Sequence, residues 1–415
     1  RRHTNFSMEE IAQEATGAVR FGGETTYTIS RNGDLIHKMY FEFSPSIFTG
    51  SGTEACSSYL GHGLLKEINC EIGGQTIDKH YSHWLTTWAD LTEINITGKV
   101  GKMSTKGEPY ACGGGDDSEM GLTSSLYMNT SFNHLGFDSV ASPTMNIPSK
   151  AYVPLRFWFN RNPGLALPLI ALQYHEVKII TKFEEYSNLL AHSQTSTDID
   201  NKVKFYVQYI FLDTDERRRF SQVSHEYLIE QVQRETGTMS ASQTLNFNHP
   251  VKELIWTVQA SLAATEGVTG ESDMDATVNV QGEAASSFEN NDYFNYSPGS
   301  GGTTEIINGA SSVEGFTDMK LQLNGHDRFA KRKATYFRTC QPIQAGHKVP
   351  SKHIYCYSFA LKPEEHQPSG TCNFSRIDNA QMIFTGGDTT DTNLTVWAVN
   401  YNVLRIMSGM GGLAY

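Results

Sequence analysis

Between residues 17 and 43 the chain alternates apolar and polar positions with a period of two, the pattern of strands that bury one face. Glu24–Ser30 (ETTYTIS) and Leu35–Phe43 (LIHKMYFEF) predict two strands, and the Asn32-Gly33 dipeptide between them predicts a hairpin turn. Residues 44–61, with Pro45, Gly50 and Gly52, read as loop. In residues 76–93 the spacing changes to three and four, through Tyr81, Trp84, Leu85, Trp88 and Leu91, which predicts a helix with Asp78 as a candidate cap. A polar, Gly-rich stretch at 98–125 then reads as an exposed loop. Residues 203–212 (VKFYVQYIFL) predict a long strand, and 213–222 (DTDERRRFSQ) a charged helix capped by Asp213 or Thr214. Strand pattern returns at 245–258 and at 394–407 (LTVWAVNYNVLRIM). Residues 263–318, dense in Gly, Ser, Asn and acidic side chains, predict long surface loops, and the C-terminal SGMGGLAY a flexible tail.

One pattern occurs twice. Residues 153–183 and 354–384 each hold a strand-like run, a Pro/Gly-bearing connection and a second strand-like run, and their starts lie 201 positions apart. Few identities survive between them, so the echo is one of pattern. It predicts two similar β domains in tandem: residues 1–213, a connector at 214–243, and residues 244–415. Many short strands, frequent turns and long loops place both domains in the all-β class, each as an eight-stranded jelly roll. A chain of 415 residues is also longer than one core usually serves, about 250–300 residues.

Charge narrows the function classes. The net charge is −12, whereas a nucleic-acid binder usually carries a basic surplus that displaces counterions from phosphates. The clusters Glu216–Arg219 and Lys331–Lys333 are short and read as solvated or intersubunit surface. Six cysteines without C-x-x-C spacing argue against a zinc ribbon or redox motif, and Cys356 reads as a buried free thiol formed in a reducing compartment. No apolar run reaches the roughly 18 residues of a membrane span, and the start RRHTNF, without Met, suggests a processed chain or a fragment, with an upstream arm expected.

Candidate chemistry is thin. His80 and His83 would share a helical face near Asp78, but a third convergent ligand is not evident, and the Trp/Tyr-rich setting favours packing over metal. Glu364, Glu365 and His366 form a polar knot that favours loop fixing over acid–base work. Asp388, Asp391 and Asn393 lack the ligand series of a calcium loop and read as a solvated turn. Motifs for zinc proteases, serine hydrolases, P-loops and cupins are absent. The expectation is therefore no enzyme and no cofactor. Sequons begin at Asn5, Asn95, Asn129, Asn295, Asn373 and Asn393, with Pro298 disfavouring Asn295. The glycosylation candidates are Asn95, Asn129, Asn373 and Asn393.

Several long stretches carry a resemblance. LNGHDRFAKRKATYF at 323–337, QPIQAGHKVP at 341–350 and IYCYSFALKPEEHQPSGTCNFSRIDNA at 354–380 resemble the double jelly-roll major capsid proteins of nucleocytoplasmic large DNA viruses. So do RRHTNFS, FGGETTYTISRNGDLIHKMY, LGHGLLKEINCEIGGQTIDKHYSHWLTTWADLT and DTDERRRFSQVSHEYLIEQVQ, so the likeness spans nearly the whole chain. Residues 98–125 and 263–318, at outer-loop positions, depart from the family's commoner forms. The resemblance implies a structural protein of the virion. Three chains would form a capsomer of pseudo-hexagonal outline, and capsomers would tile an icosahedral shell over an internal membrane. It further implies assembly in the host cytoplasm, neighbouring capsomers, minor capsid and penton proteins and inner membrane proteins as partners, and no direct contact with nucleic acid. Arg217, Arg218 and Arg219, with the 323–350 segment, are the expected trimer contacts. The alternative reading is a capsid-derived β-sandwich module that binds a carbohydrate or receptor.

Overall fold

The computed structural model describes residues 5–44, 60–92, 151–189, 199–260, 293–294, 296, 314–350, 352–387 and 392–414. In the first half the strands are β1 (Phe6–Gln13), β2 (Ala15–Thr16), β3 (Glu24–Thr28), β4 (Leu35–Phe43), β5 (Leu65–Ile72), β6 (Gln75–Tyr81), β7 (Ala151–Pro154), β8 (Leu167–Pro168), β9 (Val177–Phe183) and β10 (Val203–Leu212). They are joined by helices α1 (Leu60–Leu64), α2 (Ser82–Thr92) and α3 (Trp158–Arg161). Helix α4 (Thr214–Gln222) leads into the second half. There the strands are β11 (His225–Thr238), β12 (Ser242–Leu245), β13 (Pro250–Ala260), β14 (Asp318–Leu323), β15 (His326–Asp327), β16 (Arg332–Lys333), β17 (Ile354–Ser358), β18 (Cys372–Asn373), β19 (Ala380–Thr385), β20 (Thr392–Met407) and β21 (Met410–Leu413). A π-helical turn, Tyr336–Cys340, runs into an α-helical turn, Gln341–Ala345; together they form α5.

The two halves repeat one topology. In the first, one sheet has the order β1-β10-β4-β7 and the other β3-β9-β5-β6 along its main path; in the second, the orders are β11-β20-β13-β17 and β12-β19-β14-β15. Replacing each strand of the first half by its counterpart reproduces the second, so each half is an eight-stranded jelly roll. The echoed segments supply β7 with β9 and β17 with β19, at matching places in their sheets. The long runs β10 and β20 are likewise counterparts, each between the first and third strands of its half.

Local chemistry explains several corrections to the sequence reading. The Asn32-Gly33 hairpin does not form: β3 pairs with β9 and β4 with β10, so residues 29–34 cross from one sheet to the other. Neither residue has the positive φ that a two-residue hairpin needs. Gly33 serves close approach instead, because a Cβ there would lie 2.7 Å from the Tyr209 side chain. The true two-residue hairpins are Gly73-Gly74, between β5 and β6, and Asn324-Gly325, between β14 and β15, again counterparts. The first also shortens the predicted helix. After the turn, Gln75 to Tyr81 return as a strand paired with β5, and α2 begins only at Ser82. Asp78 is therefore a strand residue. Asp213, by contrast, does cap α4, its carboxylate accepting from the Thr214 N–H at 2.8 Å.

Of the expected connector 214–243, His225 to Thr238 form β11, paired with β20 over fourteen residues. The predicted surface loop 263–318 is corrected where it is described: Tyr293, Phe294 and Tyr296 are buried between the halves, Phe316 is buried in the second core, and Asp318 begins β14. The Gly-rich stretch 98–125 and the turn residues Asp388 and Asp391 lie outside the described residues.

Candidate assembly interface

The seam between the halves shows how one sheet face is covered. On β13, β20 and β17, Leu254, Trp256, Val396 and Tyr355 point into the core of the second half. Ile255, Trp397, Val399 and Cys356 point the other way, as period-two alternation requires. That outward row is covered by α2, whose Trp84, Trp88 and Leu91 are spaced four and three apart and lie on one side of the helix. Trp84 stacks on Trp88 at 5.3 Å and meets Trp397 at 6.1 Å. Leu85, on the helix's other side, belongs to the core of the first half. One helix thus joins a core beneath it to a sheet above it.

Polar groups lock the same seam. Asp78 accepts the Val232 N–H at 3.0 Å, and Lys348 N–H donates to Leu91 at 2.9 Å. Arg161 of α3 pairs with Glu230 of β11 at 2.8 Å and lies over the Trp88 ring. Glu230 also takes Lys252, at 2.9 Å, whose side chain is fully buried. Lys252 sits where the β13–β20 register shifts between Val251 and Glu253; the bulge aims it toward Glu230. Burial lowers the pKa of Lys252, opposed by Glu230 and Glu253. Burial raises that of Glu230, but Arg161 and Lys252 outweigh it and hold the carboxylate down.

His347 lies beside this group, edge-on to Trp88. Its Nε2 is 2.8 Å from Glu253 and its Nδ1 2.5 Å from Glu364, so the imidazolium donates to a carboxylate on each side. Burial alone would lower its pKa; Glu253 and Glu364 outweigh it and raise the value to about 9. The folded pKa is above the unfolded 6.5, so this contribution is complete below pH 6.5 and is lost as pH rises through 9. Stability measured by urea unfolding is expected to fall by on the order of 2–3 kcal/mol between pH 6.5 and 9.5, and the His347→Gln chain to lack that slope. Parallel pH profiles for the two chains would refute it.

The strand orders and this seam describe a double jelly roll in which α2 of the first half covers a sheet face of the second. The family model described as large eukaryotic DNA virus major capsid protein matches residues 216–412, and the one described as major capsid protein N-terminus matches residues 1–213. The chain belongs to the large eukaryotic DNA virus major capsid protein family. It is 43% identical to the major capsid protein of Pyramimonas orientalis virus, over all of this chain and 92% of that one. Among solved structures it is similar to PBCV-1 VP54, at 38% identity and a TM-score of 0.72, covering 100% of this chain and 98% of that one. The Faustovirus major capsid protein, 14% identical at a TM-score of 0.64, shares the fold, over 98% of this chain and 92% of that one.

The remaining sequence candidates of this capsid protein fall as follows. His80 is on β6 and stacks on Phe157, while His83 is on α2, stacks on Tyr293 and reaches the Tyr296 hydroxyl at 3.1 Å. They do not share a helical face. Burial lowers the pKa of His83 to about 4, leaving a neutral packing ring. Among the described residues no three His, Cys, Asp or Glu side chains gather as metal ligands. Glu364 fixes its loop through His347, and Glu365 pairs with Lys362. Cys356 is buried and free. Arg217 is exposed yet bidentate to Asp34, at 2.9 and 3.0 Å; Arg218 and Arg219 are exposed beside it. Asn373 accepts the Ser375 N–H at 3.1 Å, and Asn393 lies in β20 with Thr238 and Gln259 as register partners. Asn95 and Asn129 lie outside the described residues. The seam itself was missed by sequence reading. Its one visible signal was the aromatic stripe of α2, which alone cannot say which sheet it meets.

Proposed function

We propose that three copies of this chain associate into one capsomer of pseudo-hexagonal outline, and that such capsomers tile the icosahedral shell of a large DNA virus. The observation that carries it is the repeated topology: three chains with two like sandwiches each present six like units around an axis. A single interface repeated by rotation closes into a ring, as cyclic assemblies require. Full-length similarity to a chain that takes part in the PBCV-1 capsid supports the reading. In this reading residues 1–213 form the first sandwich, α4 is the connector, and the second sandwich begins with β11. The chain works without catalysis or cofactor. Neighbouring capsomers, minor and penton proteins and inner membrane proteins contact it without nucleic acid, and assembly takes place in the host cytoplasm.

The test is the native mass of the purified chain at low concentration. A species of three times the 46.2 kDa chain mass, persisting on dilution, is expected. A stable monomer would count against the capsomer and favour a solitary sugar- or receptor-binding module, which a glycan array would then reveal by saturable binding.

A further inference from the structure

The internal repeat also locates the surfaces that bring two copies together. Helix α5 is the counterpart of α2: each follows the strands that return along the first strand of the hairpin, β6 along β5 and β15 with β16 along β14, and precedes the fourth strand of the other sheet. Phe337, fully buried in the second core, corresponds to Leu85 in the first. Counting from these residues, the stripe Trp84, Trp88, Leu91 corresponds to Tyr336, Cys340, Ile343. The α2 stripe is buried against a sheet. The α5 stripe is not buried against a second sheet: Ile343 is 64% exposed and Cys340 is exposed, while Tyr336 is half-buried against the second core, edge-on to Phe337.

The receiving face has a counterpart too. The outward row of β11-β20-β13-β17 is covered by α2, and β13 is buried on both faces from Val251 to Gln259. In β1-β10-β4-β7 the same outward side bears Phe6, Met8, Lys38, Lys204 and Tyr206. Phe6 is 54% and Met8 46% exposed, Lys38 and Lys204 are exposed, and Tyr206 is half-buried. Arg218 and Arg219 lie at the rim of this face, since Phe220 of the same helix packs with Ile210 and Leu35. Among the described residues, the molecule therefore offers a helix that exposes Cys340 and Ile343 and a sheet face that exposes Phe6 and Met8, related by its own repeat to a stripe and a face that already fit together.

We propose that the Tyr336–Cys340–Ile343 stripe of one copy docks on the outward face of β1-β10-β4-β7 of a second copy, repeating between chains the α2 seam found within one. The inference rests on the trimer reading and specifies its interface. The contact is heterologous: each chain gives a helix to one neighbour and a sheet face to the other. Seams within and between chains then alternate, and three chains complete a closed ring of six.

The test uses the full chain and three measurements. Ile343→Glu places a carboxylate at the centre of the docked stripe, where truncation-scale losses reach about tenfold or more per contact. The contact recurs three times, so the variant is expected to run as a folded monomer, with unchanged far-UV circular dichroism, under conditions where the parent is trimeric. Leu361→Glu, at a side chain 78% exposed outside this stripe, is the control and is expected to remain trimeric. In the parent trimer, Cys340 is expected to react with a maleimide at least about tenfold more slowly than in the urea-unfolded chain, read by peptide mass mapping. A trimeric Ile343→Glu chain, or a Cys340 that labels equally fast in the parent trimer, would overturn the docking and leave the trimer intact. A parent chain that is monomeric or dimeric would overturn the trimer and the docking together.

Discussion

Alanine at Trp397 is expected to destabilise the chain by about 3–5 kcal/mol, the range for emptying a large buried aromatic site. Trp397 is fully buried on the outward side of β20, and the site cannot collapse easily. The strand is held on both sides, by β11 and by β13, and α2 above is anchored through Leu85 to the first core. A cavity here also removes the contact that joins the two sandwiches. Urea unfolding followed by circular dichroism is therefore expected to broaden or split into two transitions. Trp84→Ala removes the other side of the same contact. The double variant should cost less than the two single losses added together, because adjacent residues share one cavity. A loss below about 1 kcal/mol for Trp397→Ala would show that the seam is not a packed core.

Glu230→Ala is the second large expected effect. It leaves Lys252 buried with its nearest carboxylate gone and removes the partner of Arg161. Breaking a buried pair from one side costs about 3–5 kcal/mol, because the remaining charge stays out of water. The pair need not stabilise the fold relative to apolar residues of like size, since burial opposes the charged form of both groups. Glu230→Leu with Lys252→Met is therefore expected to recover most of the loss. Equal destabilisation in the single and double variants would refute that account and place the cost in side-chain shape.

Much of the fold was legible because the signals are local. Alternation marked β4, β10 and β20, and the Pro/Gly connection between two apolar runs marked β7 with β9 and β17 with β19. Asp213 was readable as a cap because an N-cap needs only its own helix. The errors share one cause. Asn32-Gly33 has hairpin chemistry, but a hairpin also needs its flanking strands to pair, and these belong to different sheets. Residues 76–81 fit a helical spacing, yet the Gly73-Gly74 turn makes them the return strand of β5. In both places a pairing partner far along the chain outweighed local preference.

The sequence by itself determined the all-β class, the tandem repeat and the family, because alternation, turn residues and long shared stretches are properties of the chain read in order. It could not show that Glu364 meets His347, that Glu230 meets Lys252 and Arg161, or that Trp84 meets Trp397. Those pairs join residues from 17 to 313 positions apart: Glu364 with His347 and Glu230 with Lys252 meet only when the second sandwich folds, and Arg161 with Glu230 and Trp84 with Trp397 only where one sandwich packs on the other. The α2 and α5 stripes look alike in sequence terms, as apolar residues at helical spacing. The tertiary structure decided that Trp84, Trp88 and Leu91 of α2 are buried against a sheet of the other half while Cys340 and Ile343 of α5 are exposed, because a helix face is covered only by an element that the fold lays against it.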